Sequence, residues 1–367
     1  MESIIRDAIN KYLEANDLLS NEQYGFRVGR TTTLQLIEML DFITEAIDNH
    51  ETIDVIYLDF QKAFDKVPHQ RLLTKLKAIG IGGKVFNWIA NFLNERKQRV
   101  TINNQASSWY SVESGVPQGS VLGPILFLIY INDIPEAVNS LIKLFADDTK
   151  LYGISSTSVH SDMIQEDLND LMAWTEEWQL QLNTDKCKSI HYGHNNPKRQ
   201  YLMDKEGTQL ELHQDSKEKD LGITFQDNLK FDQHIANNVK KANRLLGMIR
   251  RTFTKLDRNI FLQLYKSLIR PHLEYAVSVW HPFLKKEIIQ IENVQRRASK
   301  LVLGLQNHSY SERLISLGLP SLEYRRKRYD AIQVYRILSG KDMIVNKDLL
   351  KLNKPTVRLM SPAEIPK

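Results

Sequence analysis

Hydrophobic positions recur along this chain with two periods, and the polar residues that interrupt them carry the functional signal. Ile4, Ile5, Ala8, Ile9, Tyr12 and Leu13 follow the i, i+4, i+8 spacing of an amphipathic helix over residues 2–19. A Gly- and Arg-bearing loop spans Asn21 to Thr33, and residues 34–49 return to the helical period. Asp54 to Leu58 predicts a short apolar strand. Pro68 opens a helix carrying Leu72, Leu73, Leu76 and Ile79, which Gly80 closes. Phe86 to Leu93 is a further helical stretch, and Arg96–Ile102 with Ser107–Val112 predict a strand pair. Leu141 to Gly153 alternates as two half-buried strands about a tight turn. Ile164, Leu168, Leu171, Thr175 and Trp178 mark one helix face, with Trp174 and Trp178 assigned to the core. Leu182 to Tyr192 reads as a turn entering a strand, and Asp220 to Phe225 as one short strand followed by a turn at Asp227-Asn228. From residue 231 the pattern is helical and basic, and the last dozen residues are predicted to fray.

Charge changes this picture. The chain has 367 residues, 42% hydrophobic, enough for a sizeable core in two domains. Its net charge of +5 hides an asymmetry: residues 226–367 hold 27 Lys and Arg against 12 Asp and Glu, and the rest is acidic. That arrangement suits a metal-gathering half beside a half that tracks a phosphate backbone. Cys187 is the one cysteine, which excludes an internal disulfide and a zinc knuckle and points to a reducing compartment. Charges from the second residue onward argue against a signal peptide. The longest apolar run, Val121 to Ile131, is too short for a membrane span and contains Pro124. Arg325 to Arg328 reads either as a nuclear-import cluster or as a solvated helix face.

The chemistry concentrates at three carboxylates. Asp147 and Asp148 stand side by side at the predicted turn, where like charges repel unless a hard cation takes their oxygens. Asp59 ends the Asp54–Leu58 strand. If those strands are neighbours, the three aspartates converge as a two-metal phosphoryl-transfer site requires. Arg27 and Arg30, in the Gly-bearing loop, are candidate phosphate contacts. Gln118 and Gly119, in Ser114–Ser120, suit a loop that packs closely against a flat ligand.

In order, the motifs are Gln23-Tyr-Gly-Phe-Arg27, Asp59-Phe-Gln-Lys-Ala-Phe-Asp65, Gly115-Val-Pro-Gln-Gly-Ser-Val-Leu-Gly-Pro124, Phe145-Ala-Asp-Asp148, Leu182-Asn-Thr-Asp-Lys186 and Leu221-Gly222. Their series resembles the reverse transcriptases of non-LTR retrotransposons, most nearly the jockey-like group, over nearly the whole chain. The resemblance implies an α+β right-hand polymerase. Residues 1–50 would form a fingers remnant, 51–225 a palm with an antiparallel sheet, and 226–367 a basic helical thumb. It implies two Mg²⁺ ions, with Mn²⁺ as a substitute, held by Asp59, Asp147, Asp148 and the Phe60 carbonyl. Phe64 would be the steric gate that admits deoxynucleotides, and Gln118 and Gly119 would pack against nucleotide and template. Lys186 would protonate the pyrophosphate leaving group, and Leu221-Gly222 would hold the primer end. The partners implied are an RNA template, a DNA primer and dNTPs, with no membrane and an intracellular site of action, nuclear or cytoplasmic. The chain departs from the family in opening just after its first fingers motif and in having no preceding endonuclease. Two readings therefore stand: an RNA-directed DNA polymerase, weakened in nucleotide binding with only Arg27 and Arg30 over the triphosphate, or a catalytically silent nucleic-acid-binding remnant.

Overall fold

The computed structural model describes residues 1–205, 207–345 and 349. Helices and antiparallel strands alternate irregularly along the chain, the α+β arrangement expected. Helices α1 (Glu2–Ala15) and α2 (Thr32–Asp48) precede strand β1 (Ile53–Leu58). Then come α3 (His69–Ala78), α4 (Gly83–Leu93) and α5 (Gly123–Ile131). Strands β2 (Leu141–Phe145) and β3 (Asp148–Ile154) form the hairpin, and α6 (Ser158–Trp178) follows. The sheet closes with β4 (Lys188–Tyr192) and β5 (His213–Gln214). Its strand order is β5-β4-β1-β3-β2, antiparallel except for β5 beside β4.

Alternation along β1 sorts the core into two layers. Ile56 and Leu58 face a layer built from α1, α3, α4, α5 and α6. Ile53 and Val55 face the other layer, where α2 packs with the C-terminal helices. The all-apolar α5 lies buried from Gly123, Ile125 to Ile131, which is why its sequence shows no helical period. Trp174 is buried and Trp178 packs partly buried against the same layer, as expected. Thr31 and Thr157 accept hydrogen bonds from Leu34 and His160 N–H and so fix where α2 and α6 begin.

Two expectations change. Asp220 to Phe225 is not one strand but the middle of a hairpin, β6 (Lys217–Asp220) against β7 (Ile223–Gln226). Leu221 and Gly222 both take positive φ, 43° and 89°, as a two-residue hairpin turn demands. The charged Lys217-Glu-Lys-Asp220 hid the first strand. The strand pair over 96–112 does form, but only as two short rungs, Lys97–Gln98 with Tyr110–Ser111 and Thr101–Ile102 with Gln105–Ala106.

Beyond β7 the chain is helical: α7 (Asp232–Thr252), α8 (Arg258–Leu264), α9 (Lys285–Ser299), α10 (Tyr310–Leu317) and α11 (Leu322–Leu338). On α11 the basic cluster divides, with Lys327 and Arg328 on the solvated face and the other two turned to the protein. Arg325 pairs with Glu274, and Arg326 is fully buried. The frayed end expected for the last dozen residues lies outside the described residues. Among the described residues no helix is long and apolar enough to cross a membrane.

Candidate active site

The register of β1 with β3 places Leu58 opposite Thr149, so the next positions along are Asp59 and Asp148. By alternation both share the sheet face that carries Tyr57 and Lys150. Asp147 sits in the turn between β2 and β3, beside Ala146, whose φ of 54° lets two residues reverse the chain. The trio therefore meets at one edge of the sheet, as the sequence pattern requires. A cleft of about 330 Å³ opens there, lined by Asp59, Asp148, Lys186, Lys188, Asp220 and Leu221.

Backbone contacts hold each member. Asn183 N–H donates to the Asp59 carbonyl at 2.7 Å and Gln61 N–H to the Gln181 carbonyl at 2.8 Å. These bonds flank a bridge between Phe60 and Leu182, which leaves the Phe60 carbonyl directed away from that pairing. The turn after Asn183 brings Lys186 Nζ to 3.1 Å from Asp59 Oδ2. Both groups are solvent-exposed, so the pair is loose and its partner exchangeable. Beneath it Cys187 is buried, and burial pushes its thiol up to about 11.

The Asp-Asp turn is clasped from outside by a residue whose role the sequence pattern did not reveal. Gln23 is buried, and its Oε1 accepts from Ala146 N–H at 2.9 Å and Gly25 N–H at 2.6 Å. Tyr24 N–H donates to the Leu144 carbonyl and Leu144 N–H to the Glu22 carbonyl, so Glu22–Tyr24 runs as an extra parallel rung beside β2. Gly25 is obligatory here, because a Cβ would stand 2.4 Å from Ala146 N.

The electrostatics are those of an undercompensated acidic cluster. Partial desolvation in the cleft, then Asp147 and Asp220, push the Asp148 acid up to about 6. Burial and Asp59 raise Asp147 as well. Asp148 still reaches solvent, which limits what the shift costs the fold. Below it, Lys150 Nζ lies 2.6 Å from Asp220 Oδ2 and donates to Gln35 Oε1 at 2.9 Å, all three fully buried or nearly so. The carboxylate oxygens of Asp59, Asp147 and Asp148 are the donor type a hard divalent cation takes. Among the described residues no group of three or more His, Cys, Asp or Glu side chains is arranged as a metal-holding cluster.

Phe64 stacks on Phe127 of α5 with ring centroids 4.3 Å apart. Gln118 Nε2 donates to Asp65 Oδ1 at 3.0 Å, and Val116 N–H to the Phe64 carbonyl at 2.8 Å. Gly115 lies so close that a Cβ would meet the Asp65 carbonyl at 2.6 Å, while Gly119 faces open space. The Gly-Val-Pro-Gln-Gly loop and the stretch after Asp59 thus form one unit. At the other wall, the Tyr275 hydroxyl donates to the Leu221 carbonyl at 2.9 Å and lies 3.0 Å from Thr32 Oγ1.

Arg27 and Arg30 do not join this site as free cations. Arg27 donates to the Ser20 carbonyl at 2.7 Å and pairs with Glu14, with its side chain almost wholly covered. Arg30 donates to the Asn21 carbonyl at 2.6 Å and lies over the Tyr24 ring at 4.9 Å. Both guanidiniums are spent on folding their own loop.

The family model described as "Reverse transcriptase (RNA-dependent DNA polymerase)" matches residues 1–231. The chain belongs to the reverse transcriptase family. Among curated relatives, the RNA-directed DNA polymerase from mobile element jockey of Drosophila melanogaster is 29% identical over 83% of this chain and 34% of that protein. The jockey polymerase of Drosophila funebris is 30% identical with the same coverage. This reverse transcriptase is thus of the non-LTR kind, and it spans about a third of the length of the curated relatives it matches. Among solved structures, apo telomerase from Candida tropicalis aligns over 93% of the chain and 54% of its own, at 10% identity and a TM-score of 0.49. The fold is α+β, with the aspartates at the strand ends of its five-stranded sheet.

Proposed function

We propose that the chain catalyses RNA-templated DNA synthesis, with residues 1–50 as fingers, 51–225 as palm and 226–367 as thumb. The observation that carries this is the meeting of Asp59, Asp147 and Asp148 at one sheet edge, beside Lys186 and the Leu221-Gly222 turn. Two Mg²⁺ ions held by these carboxylates and the Phe60 carbonyl, with Mn²⁺ as a substitute, would supply charge neutralisation and a more acidic primer 3′-hydroxyl. Lys186 then gives a proton to the departing pyrophosphate, a role supported by its placement at Asp59. Phe64, backed by Phe127, closes the space a ribose 2′-hydroxyl needs, and so selects dNTPs. Gln118, steadied by Asp65, and Gly119 bear on the nucleotide and its template base.

Leu221-Gly222 holds the DNA primer end. Next to that turn a cavity of about 380 Å³, lined by Lys219, Asn237, Lys241, His272 and Tyr275, offers cations and amides to the backbone of a template–primer duplex.

Primer extension on poly(rA)/oligo(dT) with Mg²⁺ tests the proposal. Because Arg27 and Arg30 are engaged elsewhere, dTTP should be supplied at millimolar level. The expected result is incorporation that disappears in Asp147→Asn. Incorporation undiminished in that variant would overturn the assignment.

A further inference from the structure

The ribbon that leaves α4 is built unlike the rest of the chain. Every residue of its strand segments is exposed. Its apolar side chains point into solvent: Val100 is 64% exposed, Ile102 66%, Trp109 58% and Tyr110 69%. The fold leaves this apolar surface uncovered, as an interaction surface is.

The two faces of the ribbon differ. Lys97 pairs with Ser111 and Gln98 with Tyr110, so alternation puts Lys97, Arg99 and Trp109 together on one face. There the Arg99 guanidinium lies 4.5 Å from the Trp109 ring centroid. An indole carrying an arginine, more than half exposed, is a platform on which a flat ring can stack.

The ribbon's foot leads toward the active site. A cavity of about 830 Å³ lies between it and α3, with Lys66, Arg71 and Arg96 on its walls against Glu95 and Glu113. His69 and Ser114, also on its walls, touch the catalytic loop: His69 Nε2 is 2.9 Å from the Gly115 carbonyl, and Ser114 Oγ donates to the Asp65 carbonyl at 2.9 Å. A basic path thus runs from the Asp65–Gln118 contact, through the cavity, to Arg99 and Trp109. α4, from which the ribbon leaves, belongs to the layer on the opposite face of the sheet from the C-terminal helices.

We infer that the ribbon over residues 96–112 grips the unpaired part of the template RNA before it enters the polymerase site. The inference rests on the reading of that site given above. Unpaired bases expose the faces that Trp109 can take, whereas the bases of a duplex are already stacked. Lys97, Arg99 and Arg96 meet the phosphates between them.

Anisotropy of labelled template–primers, with the full chain and no dNTP, tests the inference without requiring catalysis. One primer duplex carries an RNA overhang of about 2 nucleotides and another of about 15, the longer within the site sizes of aromatic single-strand grooves. The chain should bind the long overhang about ten-fold more tightly. Arg99→Ala with Trp109→Ala should erase that advantage, leave short-overhang affinity unchanged and leave the melting temperature unchanged, since both side chains are exposed. Trp109→Phe should keep most of it. Lys97→Ala should reduce the salt slope for the long overhang by about 0.7. Equal affinity for the two overhangs, or an advantage that survives the double variant, overturns the inference. A chain that never extends a primer yet shows the Trp109-dependent advantage rejects the polymerase reading and keeps the ribbon. One that extends normally without the advantage does the reverse.

Discussion

Two tight turns border the catalytic cleft, and they are held by opposite strategies. The Phe145–Asp148 turn is fixed by its neighbours in the first half of the chain: Gln23 caps Ala146, and Gly25 packs against it without a Cβ. The Asp220–Ile223 turn is fixed by distant ones. Tyr275 reaches it from the C-terminal helices, and Lys150 reaches Asp220 from beneath the catalytic strand. The turn that positions charge takes its hydrogen bonds from the first half of the chain and meets the C-terminal helices only where Phe145 packs beside Ile337, while the turn assigned to the primer is hydrogen-bonded to those helices directly. A rigid first turn suits electrostatic positioning, which loses rate when geometry drifts. A second turn tied to the helices lets duplex binding set where the primer lies.

The comparison breaks most sharply at Asp148. Asp148→Asn should reduce extension by at least about 10³-fold, some 4 kcal/mol of transition-state stabilisation, with template–primer affinity unchanged. The same variant should melt slightly higher than wild type at pH 7. A carboxylic acid raised to about 6 on folding opposes the folded state wherever it must ionise. Below the ordinary carboxylate pKa both states are protonated, so the gain should fade as pH falls from about 7 to 4. Melting curves across that window check the sign.

Lys150→Met tests the link between the turns. It strands the buried Asp220 carboxylate, and urea denaturation should show a loss of about 3–5 kcal/mol, most of it recovered by adding Asp220→Asn. A comparable effect belongs to the first turn alone. Gln23→Ala leaves two backbone N–H groups without their acceptor, at about 1–3 kcal/mol each. Its extension rate should fall about ten-fold or more while primer affinity holds. The smallest change is Tyr275→Phe, which removes the hydroxyl that contacts both Leu221 and Thr32, at about 1 kcal/mol per bond. There the pattern should invert, with the template–primer KM rising several-fold and kcat steady.

Much of this was legible because strong periods and charge placement do not depend on distant partners. The Leu141–Gly153 alternation around two aspartates announced the hairpin, and the strand ending at Asp59 announced its neighbour. Arg27 and Arg30 misled because a guanidinium in a glycine-bearing loop looks free in sequence, while in space Glu14, Asn21 and Tyr24 claim it. Gln23 belongs to the first motif, but its capping role does not show there, since a buried amide that caps a turn 123 residues away is an ordinary polar letter in the chain. Lys150 likewise reads as the polar half of an alternating strand, although it is buried against Asp220. The β6–β7 hairpin was missed because four charged or polar-facing positions in a row do not announce a strand at a sheet edge.

Tyr275 also sets a timetable. Its hydroxyl joins Leu221 and Thr32 across 54 and 243 residues of sequence. A ribosome adding roughly 10 residues per second releases every strand of the sheet about six seconds before it releases this tyrosine. During that interval the nascent chain has every strand of the sheet but lacks the tyrosine that fastens the Leu221-Gly222 turn.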